Sequence, residues 1–134
     1  MTELYVSLIK KGECIVKHDK SATKIVTGSP REYGGNGKEY SSTDLLAAAL
    51  GTCIATTIED IINRNKIKYE NVEIIVKKEL LLKPKKIKSL KVEILINEKI
   101  DLKIIDIIRR SAKSCLVHKS LIVKPEIIVK AVVN

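Results

Sequence analysis

The sequence predicts an α+β fold with mainly antiparallel sheets. Three observations carry that class. Short alternating segments at the start of the chain are joined by turns too brief for a parallel crossover. Residues 71–82 and 87–98, "NVEIIVKKELLL" and "IKSLKVEILINE", alternate over long stretches on either side of a turn that holds Pro84. Two other stretches repeat apolar residues at helical spacing, giving the order strands, helix, two long strands, helix, strand. The 134 residues fit a single domain, 1–134, able to bury a core without cross-links.

The elements follow in order. "ELYVSLI" (3–9), "ECIVKHD" (13–19) and "TKIVTG" (23–28) read as a three-stranded meander, with "KKG" and "KSA" as its turns. "SPREYGGNGKEY" (29–40) concentrates proline and glycine and reads as a long loop, a length that often serves function. Ser41 and Asp44 then form a capping-box pattern, with aspartate at the position usual for glutamate. Leu45, Leu46, Ala49, Leu50, Cys53, Thr57, Ile58, Ile61 and Ile62 recur at spacings of one, three and four, so a long helix is expected from this cap to about Asn63. A second helix is expected over "DLKIIDIIRRSAKSC" from Asp101, and "IVKPEIIVKAVV" closes the chain as a strand.

Composition narrows the function. Phe and Trp are absent and four Tyr are the only aromatics, so the core must be built from branched aliphatics. The net charge of +9 favours anionic partners. The lysines are scattered, however, and read first as a solvated surface. "GGNG" (34–37) fits the loop by which some modules clamp RNA, but that loop joins two helices and this one follows a strand and a Ser-Pro turn. Nucleic acid is therefore kept only as a lesser alternative. No signal peptide is expected from "MTELYVSLIKKGE", and no apolar run is read as approaching the roughly 20 residues of a membrane span. Three widely spaced cysteines do not make a disulfide framework. A cytoplasmic protein is expected, with no membrane partner.

Cys53 and Cys115 fall on the apolar faces of the two expected helices, whereas Cys14 lies in a strand. Spacing alone allows either inert core cysteines or a redox pair. His118, three residues after Cys115, reads first as a surface histidine near a helix end; on a continuing helix it would share the face of Cys115, where an imidazolium could lower the thiol pKa. With His18 the only other histidine, no metal site is expected, and no cofactor.

Two blocks carry a resemblance. "SPREYGGNGKEYSSTDLLAAALGTC" resembles the signature of the OsmC/Ohr family, the osmotically inducible and organic-hydroperoxide-resistance proteins: a Gly-Gly-x-Gly loop, a polar spacer, an acid, then Leu-Leu-x-Ala-x-Leu-Gly and a small residue before cysteine. "RSAKSCLVHKSLIVKPEIIVKAVV" is similar to the block around the family's second cysteine. The resemblance implies an intertwined α+β homodimer with active sites at the subunit interface. It implies a thiol peroxidase in which Cys53 attacks an organic hydroperoxide or hydrogen peroxide, Cys115 resolves the product as a disulfide, and a dithiol reductant resets the pair. It places Gly34, Gly35 and Leu50 at the substrate.

Peroxidase members ionise the first cysteine with an arginine from an N-terminal turn, held by a glutamate ten residues before that cysteine. Here Thr43 occupies the latter position, and the acid is Asp44, one residue on. No arginine precedes Arg31, so Lys10, Lys11 and Arg31 become the candidate thiolate-stabilising cations, with Asp44 as an electrostatic partner. Lysine brings charge without the planar fork of arginine. The alternative is an OsmC-like redox or ligand-binding homodimer without efficient peroxidase activity.

Overall fold

A computed structural model describes residues 1–133. The chain divides into two compact units: residues 1–46 with 82–84, and residues 47–81 with 85 onward.

The first unit holds a three-stranded antiparallel sheet of β1 (Leu4–Lys10), β2 (Glu13–His18) and β3 (Lys24–Thr27) in the order β1-β2-β3. The turn between β1 and β2 is tight because Lys11 and Gly12 both take positive φ, 33° and 80°. After β3, a single 3-10 turn at Arg31–Tyr33 ends on Gly34 in the left-handed conformation, φ 92°. The loop then runs to Ser41, which starts α1 (Ser42–Arg64). The capping box forms in full. The Asp44 N–H donates to Ser41 Oγ at 3.1 Å, and the Ser41 N–H donates to Asp44 Oδ2 at 2.9 Å.

The second unit holds most of α1 and a sheet in the order β4 (Val72–Leu82), β5 (Lys85–Ile100), β6 (Glu126–Val133). Central strand β5 buries Leu90, Val92, Ile94, Ile96 and Ile100 on one face. Against this aliphatic core lie Leu50, Ile54, Ile58 and Ile62 of α1, and Ile105, Ile108 and Ala112 of α2 (Leu102–Ala112). Gly51 marks how closely α1 approaches β4: a Cβ there would lie 3.0 Å from Val76 Cγ2. On the other face of β5, buried Glu93 accepts from Lys77 of β4 at 3.3 Å and pairs with Lys130 of β6 at 3.2 Å, tying three strands together.

The α+β class holds, and three details differ from expectation. Strand β6 runs parallel to β5, with Val92 opposite Ile127 and Ile94 opposite Val129, because α2 and a short α3 (Leu116–Ser120) supply a crossover between them. The second helix stops at Ala112, and Cys115 caps α3 instead of extending α2. Among the described residues, α1 is long and apolar enough to meet the length-and-composition criterion for a membrane span, which the sequence reading had denied to every stretch. A core helix of a soluble protein meets the same criterion.

Candidate active site

Two thiols meet in the second unit. Cys53 lies half-buried in the middle of α1, and Cys115 is buried at the start of α3. Both are free, as is Cys14 in β2. The chain turns at Lys113–Ser114, and the Cys115 N–H donates to Ala112 O at 3.4 Å. Extended backbone at Cys115 (φ −65°, ψ 151°) turns its side chain back over the first turn of α3, where Sγ accepts from the His118 N–H at 3.3 Å. The same turn brings the Leu116 and Val117 amides to the side of Cys53, where they favour its charged form. The two thiols lie near enough for each to shift the ionisation of the other.

The pair is electrostatically unequal. Burial pushes the Cys53 thiol up. Against it act the Val117 N–H, the Cys115 thiol, the Leu116 N–H and the Thr57 hydroxyl, which together hold Cys53 below the ordinary thiol value. Burial likewise pushes Cys115 up. Its His118 N–H contact does not compensate, and charge on Cys53 raises it further. Cys53 is thus the thiol of the pair that ionises first.

His118 takes part through its backbone. Desolvation, with Lys124 and Lys113 nearby, pushes its imidazole pKa down, so the ring is neutral at neutral pH. An imidazolium aid to Cys115 fails for that reason, and also because Cys115 and His118 do not sit on one continuing helix. The Leu50 side chain is fully buried in the core beside this site.

The other sequence-named residues lie in the first unit. Lys10, Lys11, Gly34 and Gly35 line a polar cavity of about 610 Å³, together with Glu13, Ser29, Tyr33 and Asn36. Gly35 is required there, because a Cβ would run into the Ser29 carbonyl oxygen. Arg31 Nε donates to Asn36 O at 3.2 Å, so this side chain braces the loop. The Asp44 carboxylate serves the α1 cap. Sequence reasoning named the two cysteines but missed the Leu116 and Val117 amides and the Thr57 hydroxyl. Thr57 carried a signal, four residues after Cys53 on one helix; the amides carried none, since any residue has an N–H.

The chain thus combines an α+β fold with a helix thiol held below the ordinary thiol value and a buried thiol at the start of a second helix. The family model described as OsmC-like protein matches residues 35–130, and the chain belongs to that family. Its structure is similar to that of a Psychrobacter arcticus protein provisionally described as an osmotic stress induced and detoxification response protein. That likeness has 26% identity and a TM-score of 0.86, covering 97% of this chain and 96% of that one. It is also similar to an organic hydroperoxide resistance protein OsmC from Legionella pneumophila, at 20% identity and a TM-score of 0.72, covering 98% and 97%. The organic hydroperoxide resistance protein OhrB of Bacillus subtilis gives 13% identity and a TM-score of 0.65, covering 97% and 98%. No curated protein matches this chain in sequence.

Proposed function

We propose that this protein is a thiol-dependent peroxidase acting in defence against hydroperoxides. The observation that carries the reading is the pair of thiols, Cys53 in the middle of α1 and buried Cys115 at the start of α3, with Cys53 held down and Cys115 pushed up. A peroxidatic cysteine must be a thiolate. The Cys53 thiolate attacks the outer oxygen of ROOH; an S–O bond forms, the O–O bond breaks, Cys53 becomes a sulfenic acid, and the alkoxide RO⁻ leaves as ROH by taking from water the proton that Cys53 released on ionising. The Cys115 sulfur then attacks the Cys53 sulfur, forming a disulfide and releasing water. A dithiol reductant returns both to thiols by exchange. Three free cysteines suit a reducing compartment such as the cytoplasm.

The working form is a homodimer. All seven residues of β1 are exposed, including Leu4, Tyr5, Val6, Leu8 and Ile9 on both faces of the strand, and only 28% of the apolar window of α1 is buried within the chain. A second copy would cover these surfaces. The alternative, a redox or ligand-binding homodimer without efficient peroxidase activity, is favoured by one observation: Lys10 and Lys11 stand at the N-terminal turn where peroxidase relatives carry arginine.

One equivalent of an organic hydroperoxide, followed by thiol counting and intact mass, tests the choice. The peroxidase reading expects loss of two thiols and a Cys53–Cys115 disulfide within one chain. Unchanged thiols after many turnover times would leave the alternative.

A further inference from the structure

Charge is one-sided around Cys115. Between Asp106 and Glu126 the sequence carries five cations, Arg109, Arg110, Lys113, Lys119 and Lys124, and no acid. Arg109 and Arg110 turn back to Asp106, at 3.5 and 3.0 Å. Lys113, Lys119 and Lys124 are all exposed, and no carboxylate among the described residues pairs with them. Lys124 Nζ donates instead to the carbonyls of His118 and Lys119, at 3.0 and 3.5 Å, which holds the chain after α3 against the end of that helix.

Apolar side chains stand among these lysines. Leu116, next in the chain to Cys115, is 77% exposed, and Ile122, just past α3, is 98% exposed. Leu116 and Lys119 are three apart on α3 and share its outward face. Bare leucine and isoleucine rimmed by unpaired lysines make a contact surface, and the sign of the rim selects an acidic partner. Five residues of helix are too few to lay an apolar stripe along a bilayer. The surface also begins one residue from a thiol that a reductant has to reach.

We propose that Lys113, Leu116, Lys119, Ile122 and Lys124 form the docking surface for the reductant of the thiol pair, and that this reductant is an acidic protein with a dithiol beside an apolar patch. The proposal rests on the peroxidase reading, which supplies the disulfide to be reduced. A thiolate of the docked protein attacks one sulfur of the Cys53–Cys115 disulfide and frees the other as a thiolate. Its second thiol gives its proton to that thiolate and breaks the mixed disulfide. Two electrons pass to this chain, and the partner leaves as a disulfide.

The test uses two synthetic peptides with the same Cys-x-x-Cys dithiol and flanking leucines, one rich in glutamate and the other in lysine. Each reduces the peroxide-oxidised protein, followed by thiol counting, with dithiothreitol, small and neutral, as the reference. At low salt the glutamate peptide should act at least about tenfold faster than the lysine peptide, and the gap should close at about 1 M salt. Lys113→Gln/Lys119→Gln should remove most of the gap without changing the dithiothreitol rate, and Lys119→Glu should narrow it further. Ile122→Ser should slow both peptides alike. Equal rates for the two peptides, or a gap that survives Lys113→Gln/Lys119→Gln, overturn the docking surface alone. An Ile122→Ser chain that loses self-association gives this face to a second copy and overturns it too. Binding of the unaltered protein to phosphatidylglycerol vesicles that Lys113→Gln/Lys119→Gln abolishes, with equal peptide rates, would assign the face to a membrane. No Cys53–Cys115 disulfide after hydroperoxide overturns the peroxidase reading and the docking with it.

Discussion

Cys53 and Cys115 are one chemical group in two settings, and the difference has a pH signature. Burial acts on Cys53, but the Val117 and Leu116 amides, the Cys115 thiol and Thr57 lower it in the folded state. Its contribution to stability is therefore full above the unfolded-state thiol pKa and is lost as pH falls through the folded value. Cys115 is raised, chiefly by burial, so its contribution is full below the unfolded value and is lost as pH rises through the folded one. Together they place a shallow stability maximum near the free-thiol pKa of about 8.5. Urea midpoints of the unaltered protein, minus those of a Cys53→Ser/Cys115→Ser variant at equal concentration, should peak there. A difference that is flat from pH 7 to 10 would remove the electrostatic asymmetry from the site.

At the scale of elements, Gly51 sets the seat of α1 on β4. An added Cβ would sit 3.0 Å from Val76 Cγ2 and 3.9 Å from Ile74 Cγ2. Gly51→Ala trades about 1 kcal/mol of gained helix propensity against that crowding and should come out near neutral in urea unfolding. Gly51→Val adds two methyl groups to a filled space and should cost about 1–3 kcal/mol. A stabilised Gly51→Val would mean that α1 is free to lift. The start of α1 was legible in the sequence because a capping box is local, and Ser41 and Asp44 suffice to write it. Both cysteines were legible because their surrounding blocks are distinctive. The parallel pairing of β6 was not, since it depends on a partner some 35 positions away, Val92 with Ile127. The break after Ala112 was not either. "KSC" continues the apolar spacing, and only the extended backbone at Cys115 separates α2 from α3. That break brings the Leu116 and Val117 amides toward Cys53, so their absence from the sequence reading follows from one misplaced helix end.

For the molecule as a whole, the exposed apolar surfaces set the expectation. β1 is 60% exposed at Leu4, 64% at Val6 and 75% at Leu8, which is costly for a strand left in water. The charge of +9 favours solvation but does not cover those side chains. Sedimentation equilibrium at micromolar concentration should give a dimer, with total buried area in the range of obligate pairs, above about 2,000 Å². The dimer should persist at high salt, since apolar burial is not screened. A salt-sensitive or monomeric species would contradict the homodimer.

Cys115 lends one sulfur to two tasks: partner of Cys53, and acceptor for the His118 N–H that begins α3. A sulfur drawn into a disulfide accepts less well, so oxidation should fray the first turn of α3, and its amides should exchange with solvent sooner. The exchange of free energy runs both ways. Whatever tightens the start of α3 favours the dithiol by the same amount that oxidation loosens the helix. Under the proposed reaction, the reduction potential of the pair would be tied to the folding of five residues, Leu116–Ser120, and a reductant docking there would find its disulfide already on the less ordered side of the equilibrium.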